Sequence, residues 1–214
     1  MNARTPDALL KDLVGRYPDL AGCAPDIARA FETLERCYRA GGKLLVCGSG
    51  GSAADSEHIV GELMKGFALQ RPVPEAFKRV LEERFPAEAD HLADHLQGAL
   101  PAVSLVSQTA LLTAVANDLS SDMVFAQQVY GYARPEDALL AISTSGNSAS
   151  ALNALRVAKA LGLATLGLSG RTGGKMKALC DAIVCVPADE TLAVQERHLP
   201  VYHTLCLMLE QAFF

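Results

Sequence analysis

Five continuously apolar runs alternate with longer helical patterns through most of the chain. The runs read LLVCG at 44–48, PAVSLV at 101–106, DALLAIS at 137–143, ATLGLSG at 164–170 and DAIVCVP at 181–187. Because the runs do not alternate with polar residues, they indicate strands that are buried on both faces. The intervening helical patterns include a short one, GGKMKALC at 173–180. Strands separated by helices favour right-handed crossovers. The pattern therefore predicts an α/β fold with three αβα layers and a five-stranded parallel sheet.

Helical patterns also precede this region, within residues 1–42. One is centred on Leu9 and Leu13, and a clearer 3.6-residue stripe extends from Ile27 to Tyr38. We predict two amino-terminal helices here. Helices that precede the first strand and carry their own apolar stripes often pack against a partner chain, so we expect this segment to serve oligomer packing.

One segment interrupts the alternation of strands and helices. Residues 73–100 are charged and helical in pattern, with a break at Pro86. The segment predicts an inserted pair of helices between a helix and the following strand. Two interpretations stay open, a solvated surface decoration or a lid or interface element near the site. A long apolar helical pattern from about Val194 to Phe214 closes the chain.

Composition narrows the class of protein. A chain of 214 residues with 50% hydrophobic and 20% charged residues is expected to fold as one domain over 1–214. The net charge of −5 provides no basic field for nucleic acid or an anionic membrane. No apolar stretch approaches the roughly 20 residues that span a bilayer, and the amino terminus lacks a signal-peptide pattern. The six cysteines form no C-x-x-C pair, so we expect reduced thiols and a cytoplasmic location.

Two polar loops directly follow predicted strands. The first, GSGGS at 48–52, lets the backbone approach an anion closely and offers Ser52 as a helix cap. The second, STSGNS at 143–148, offers four hydroxyl groups and a glycine turn. Ligands of parallel sheets lie beyond the carboxyl ends of the strands, near helix amino termini. The loops therefore predict a site for a phosphate monoester, although GSGGS alone is equally typical of a structural turn.

A dinucleotide cofactor is the main alternative for the first loop. Gly48, Gly50 and Ala53 fit the G-x-G-x-x-A pattern. That pattern requires an acidic residue at the end of the next strand, about 20 residues on. At that distance the predicted helix is still running, so we expect no nucleotide cofactor.

The helix after GSGGS carries His58 and Glu62, four residues apart and therefore on one face. The pair is compatible with three uses. It can simply support the helix, it can bind a metal such as Zn²⁺, or its carboxylate can take a proton next to a carbonyl group.

Taken together, four stretches resemble a known family. GSGGSAADSEHIVGEL, AVANDL at 114–119, STSGNS, and VQERHLPVYH at 194–203 are similar to the SIS (sugar isomerase) domain, and most similar to bacterial phosphoheptose isomerases. The resemblance covers about residues 30–214 except the 73–100 insertion, and implies a flavodoxin-like, doubly wound sheet. It also implies interconversion of sedoheptulose 7-phosphate and a glycero-manno-heptose 7-phosphate by proton transfer through an enediol.

The resemblance further implies roles for individual residues. Glu62 would be the base that moves a proton between C1 and C2, and His203 the acid that serves the oxygens. A homotetramer (or homodimer) with sites shared between subunits is implied. The implied zinc ligands are His58, Glu62, Gln195 and His203. The implied substrate contacts are Ser49, Gly50, Gly51, Ser52, Glu62, Asn117, Asp118, Ser143, Thr144, Ser145, Ser148 and Gln195.

Several features depart from the family pattern or leave alternatives open. Ser49 stands where the family usually has asparagine, and the 73–100 insertion is absent from the ordinary enzyme. Gln195 and His203 are eight residues apart, roughly 12 Å along a helix, so they meet one ligand only if the helix bends, the side chains lean together or two subunits supply them. Some SIS proteins bind phosphosugars only as regulators, but these lack the glutamate and the final histidine. The presence of both residues here favours an enzyme.

Overall fold

A computed structural model describes residues 5–214, so residues 1–4 of the predicted amino-terminal segment lie outside it. All strand pairs in the sheet are parallel, in the order β2-β1-β3-β4-β5. This is the flavodoxin-like order, and it confirms the predicted doubly wound fold. The strands are β1 (Leu44–Gly48), β2 (Ala102–Ser104), β3 (Ala138–Ser143), β4 (Ala164–Ser169) and β5 (Ala182–Cys185).

Helices cover both faces of the sheet. The predicted helix at 173–180 is only a 3₁₀ turn, Gly174–Ala178, because Gly173 and Gly174 adopt positive φ angles of 70° and 51°. The α-helices are α1 (Pro6–Arg16), α2 (Ala24–Arg39), α3 (Gly51–Met64), α4 (Glu75–Arg84), α5 (Ala89–His95), α6 (Thr109–Asp118), α7 (Val124–Tyr132), α8 (Ala149–Ala160) and α9 (Thr191–Phe213).

Two apolar cores lie on opposite faces of the sheet. Leu44 and Val46 of β1 point into a large core that α1, α2, α3 and α9 complete. Leu45 and Cys47 point to the other face, where α7 and α8 supply most of the packing. The continuous apolar runs are therefore buried on both sides, as predicted. Among residues 5–214, no helix is both long and apolar enough to cross a bilayer.

The helical insertion predicted near 73–100 is present as α4 and α5. The two helices enclose a small core of their own around Leu81, Ala89 and Ala93. A single antiparallel bridge between Pro72 and Gln97 closes the base of this hairpin. The base therefore lies next to the carboxyl end of α3, which places it near the residues discussed below.

Candidate active site

A cleft of about 390 Å³ opens at the carboxyl ends of β1 and β3. These two strands are neighbours in the sheet. From β1 the chain crosses to β2 on one side, whereas from β3 it proceeds to β4 and β5 on the other side. Such a switch point is where open α/β sheets bind ligands. The two predicted phosphate loops meet here. The lining residues are Ser49, Gly50, Gly51, Ser52, Ile142, Ser143, Thr144, Ser145, Ser148, Thr191 and Gln195.

The starts of α3 and α8 both face this cleft, and no described side chain caps either of them. The first amides of a helix have no partner within the helix, and the helix dipole adds partial positive charge there. Gly50 turns the chain into α3 with a φ of 62°. None of the residues that line the cleft is Lys or Arg. The cleft thus offers free amides and hydroxyl groups, which suit an anion of modest charge.

The loop after β3 is held firmly in place. Gly146 has a φ of 65°, and a Cβ there would lie 2.1 Å from the Gly173 carbonyl oxygen. The Met176 amide donates to the Gly146 carbonyl over 3.0 Å. Because the backbone is fixed by these contacts, the hydroxyl groups of the loop need little reordering when a ligand binds.

A second cluster forms where the last turns of α3 meet α9. His58 Nε2 lies 3.1 Å from Glu62 Oε1 and 3.3 Å from His203 Nε2. Among residues 5–214, this is the only group of three or more His, Cys, Asp or Glu residues whose ligand atoms all lie within 4.8 Å of one another. Burial, and after it the neighbouring His58, lowers the pKa of His203, which favours the neutral form of its imidazole.

A tyrosine fixes the tautomer of His58. The Tyr202 hydroxyl lies 3.2 Å from Asp55 Oδ1 and 3.1 Å from His58 Nδ1. An ionised carboxylate can only accept, so the hydroxyl donates to Asp55 and accepts from the Nδ1–H of His58. In the neutral form of this ring the lone pair lies on Nε2 and points at the carboxylate of Glu62, and a cation between these atoms would relieve their repulsion.

The cluster fits a divalent metal. Ligand atoms of a tetrahedral zinc site with bonds of about 2.0–2.1 Å lie about 3.3 Å apart, close to the distances around His58 Nε2. Glu62 Oε2 is buried and has no hydrogen-bond partner among the described residues; its nearest cation, Lys65 Nζ, is 3.6 Å away. The described chain would thus supply three of the four ligands that a tetrahedral zinc site takes.

Tyr202→Phe tests the orienting role of the tyrosine. Without the hydroxyl group the His58 ring loses its partner at Nδ1, and loss of such a partner commonly weakens metal binding by about 10- to 100-fold. We expect that loss in a competition titration of Zn²⁺ with a chromophoric chelator. Tyr130→Phe is the matched control, because Tyr130 is 70% exposed on α7. Equal zinc affinity in the two variants would contradict the assignment.

Within one protomer the predicted site residues fall into three groups. Gln195 lies in the cleft and packs closely against Gly51. A Cβ added to Gly51 would be only 2.3 Å from Gln195 Nε2. His203 lies eight residues later, beside His58 near the other end of α3. Asn117 and Asp118 are exposed at the end of α6, joined to each other by a 2.7 Å hydrogen bond and outside the cleft lining. One chain therefore does not bring all of these residues together.

Sequence reasoning missed Asp55, Tyr202 and Thr191. Asp55 precedes His58 by three residues, so helical spacing alone places both on one face of α3. Tyr202 could not be found in this way, because its role depends on how α9 packs against α3.

Comparison with known proteins gives consistent results. The SIS domain family matches residues 22–83 and 80–170. A phosphoheptose isomerase of Rhodospirillum rubrum is 41% identical over 193 residues, covering 90% of this chain and 89% of that protein. A solved phosphoheptose isomerase of Francisella tularensis is 30% identical and superposes with a TM-score of 0.75, covering 92% of this chain and 91% of that chain. A solved phosphoheptose isomerase of Neisseria gonorrhoeae is also 30% identical and superposes with a TM-score of 0.71, covering 94% of this chain and 91% of that chain. The chain therefore belongs to the SIS-domain proteins and, within them, to the phosphoheptose isomerase family of phosphosugar isomerases.

Proposed function

We propose that this protein interconverts sedoheptulose 7-phosphate and D-glycero-D-manno-heptose 7-phosphate, with the phosphate bound in the cleft and the proton handled by the cluster. The observation that carries the proposal is the pair of uncapped helix starts, of α3 and α8, around a serine-lined cleft; α3 also presents Glu62. The names of the relatives at 41% and 38% identity support the heptose as the sugar.

The proposed reaction needs one base and one acid. Glu62 removes a proton from C1 of the ketose, and the electron pair of that C–H bond forms the C1–C2 double bond of the enediol. His203 donates a proton to the oxygen on C2 and regains one from the oxygen on C1. Glu62 then returns its proton to C2, which gives the aldose. A neutral imidazole suits this shuttle, because the proton that it gives to the oxygen on C2 is replaced by the proton that it takes from the oxygen on C1, so it ends the cycle neutral.

As an alternative role for His203, we propose that the cluster holds Zn²⁺ through His58, Glu62 and His203, with Gln195 from a neighbouring subunit. When bound, it would polarise the oxygens on C1 and C2. His203 Nε2 cannot donate a proton while it is a ligand, so the two roles of this side chain exclude each other.

Removal of the metal distinguishes the two roles of His203. If His203 serves as a ligand, dialysis against a chelator should lower kcat by at least about 100-fold, and added Zn²⁺ should restore it. Steady-state rates with metal analysis of the same samples provide the measurement. Full turnover in metal-free protein would leave His203 as the acid and contradict the zinc site.

Distances along α3 favour sites that are shared between subunits. Ser52 and Glu62 are ten residues apart, roughly 15 Å along the helix axis. An extended sugar chain advances about 1.2 Å per bond, so C1 lies about 10 Å from the phosphorus of a heptose 7-phosphate. Along the helix axis, the backbone of Glu62 therefore lies about 5 Å beyond C1 of a sugar held in the same protomer's cleft. We infer that a second copy supplies Glu62.

A shared site requires a homotetramer or homodimer, and we propose that the helices of residues 1–42 lie at its interfaces, although their apolar stripes pack into the chain's own core. Asn117 and Asp118, exposed in one protomer, are then available to a neighbouring cleft. We keep a single SIS domain over 1–214 and a cytoplasmic location as parts of the proposal; the six free cysteines of the described chain suit a reducing compartment.

A panel of ketose phosphates with five to seven carbons tests the proposal. We expect turnover, measured from the aldose signal in NMR spectra, to be fastest with sedoheptulose 7-phosphate. Ser145→Glu serves as the control, because a carboxylate in the cleft repels the phosphate and should raise KM by at least about tenfold. Binding of these sugars without conversion would instead indicate a phosphosugar-binding regulatory protein.

A further inference from the structure

A fully buried ion pair lies next to the His58–Glu62–His203 cluster. Arg71 and Glu210 have no exposed side-chain surface, and Arg71 Nε donates to Glu210 Oε1 over 2.8 Å. Because of desolvation, a buried ion pair is often no more stabilising than apolar residues of the same size. Stability alone therefore does not explain the pair, and its remaining hydrogen bonds indicate another role.

Arg71 caps the end of the helix that carries Glu62. Its guanidinium donates to the Leu63 carbonyl over 2.9 Å and to the Glu62 carbonyl over 3.3 Å. These are two of the last four carbonyls of α3, which have no partner within the helix. The next residue, Lys65, is extended, so no left-handed glycine closes the helix in the usual way. The backbone of Glu62 is thus held by a side chain nine residues away.

Glu210 holds the other side of the cluster. Its carboxylate accepts from the Phe67 amide over 2.8 Å and from the Ala68 amide over 2.9 Å. The Phe67 ring lies 5.3 Å from the ring of His203, between centroids. Glu210 follows His203 by seven residues, so both side chains lie on one face of α9. The carboxylate therefore fixes the loop that packs against the imidazole.

We propose that Arg71 and Glu210 are positioning residues that set the geometry between Glu62 and His203. Arg71 fixes the main chain of Glu62, and Glu210 fixes the loop that packs against His203. The ion pair joins these two side chains and so holds both elements in a fixed relative position. Neither side chain reaches the substrate. The inference rests on the proposed function, because it assigns the pair to the proton transfer described above.

Arg71→Lys is the principal test. The variant keeps the charge, but a single ammonium nitrogen cannot reach the carboxylate and both carbonyls as the planar guanidinium does. A displacement of about 1 Å at a reacting group can cost about 100-fold in rate. We therefore expect kcat to fall by about 10- to 100-fold. The KM should change by less than about threefold, because phosphate binding belongs to the opposite end of α3.

Lys43→Met is the matched control. Lys43 pairs with Asp137, whose side chain is 2% exposed, at the amino-terminal edge of the sheet and far from the cluster. Loss of this pair should lower the melting temperature while kcat stays unchanged. Both variants are compared well below their melting temperatures. Glu210→Gln, which keeps one acceptor oxygen and the side-chain size, provides a second variant should Arg71→Lys fail to fold.

Zinc affinity gives a readout that does not depend on turnover. We expect Arg71→Lys to weaken Zn²⁺ binding by at least about tenfold and Lys43→Met to leave it unchanged. Equal effects of the two variants on both kcat and zinc affinity would overturn the positioning role. A wild-type protein that converts no ketose phosphate would overturn the proposed function. In that case the difference in zinc affinity between the two variants would still test whether Arg71 positions the cluster.

Discussion

Replacing Glu62 by Gln is expected to lower kcat for sedoheptulose 7-phosphate by about 10³- to 10⁴-fold, the upper part of what a positioned base contributes. The amide has the size and shape of the carboxylate but cannot accept the C1 proton. Glu62 does not line the cleft, so the variant should bind the phosphosugar with unchanged affinity. Turnover by NMR and affinity by calorimetry provide the two measurements.

Glu57→Gln is the matched control for this prediction. Glu57 lies on α3 as well, exposed and hydrogen-bonded to Ser107 over 2.8 Å, and it has no place in the cluster. This variant should retain the turnover of the native protein. A Glu62→Gln protein that keeps more than about a tenth of native kcat would remove Glu62 from the proposed chemistry.

At substrate concentrations well below the native KM, two nearly inactive variants are expected to restore activity when their chains are combined. Glu62→Gln has an intact cleft and no base, whereas Ser145→Glu has an intact base and a cleft that repels phosphate. If each site takes its cleft from one chain and Glu62 from another, a mixed pair contains one complete site and one doubly defective site. Random pairing of equal amounts should then give about a quarter of native activity, and mixed pairs isolated from the rest should have about half.

Coexpression with two affinity tags isolates the mixed oligomers for this measurement. Each variant purified alone, and the two mixed without subunit exchange, should stay inactive. Mixed oligomers that remain as inactive as the parent variants would show that cleft and base belong to one chain. The roughly 15 Å along α3 would then have to be bridged within a protomer.

The fold could be predicted almost completely, because its signals are local. Continuous apolar runs such as DALLAIS identify strands buried on both faces, and the intervening 3.6-residue patterns identify the helices. The error at 173–180 has a local cause as well. Gly173 and Gly174 adopt positive φ angles, which prevents a regular α-helix although the side-chain pattern suits one.

The candidate site could be predicted in its parts but not in its arrangement. The serine loops and the His58–Glu62 pair are contiguous or at helical spacing, so the sequence alone indicates them. Tyr202 and the Arg71–Glu210 pair depend on how α9 packs beside α3, and no spacing rule gives that contact. The roughly 12 Å estimate between Gln195 and His203 left three arrangements open, and the structure places Gln195 beside Gly51 and His203 beside His58.

Deuterium incorporation into the sugar tests the central proposal most directly. In D₂O, sedoheptulose 7-phosphate converted by the native protein should gain solvent deuterium at C1 of the ketose and C2 of the aldose, because the proton resides on Glu62 and exchanges with solvent. Mass and NMR spectra of the two sugars at partial conversion provide the measurement. Conversion with the original hydrogen fully retained would indicate direct hydride transfer between the two carbons and would contradict the account.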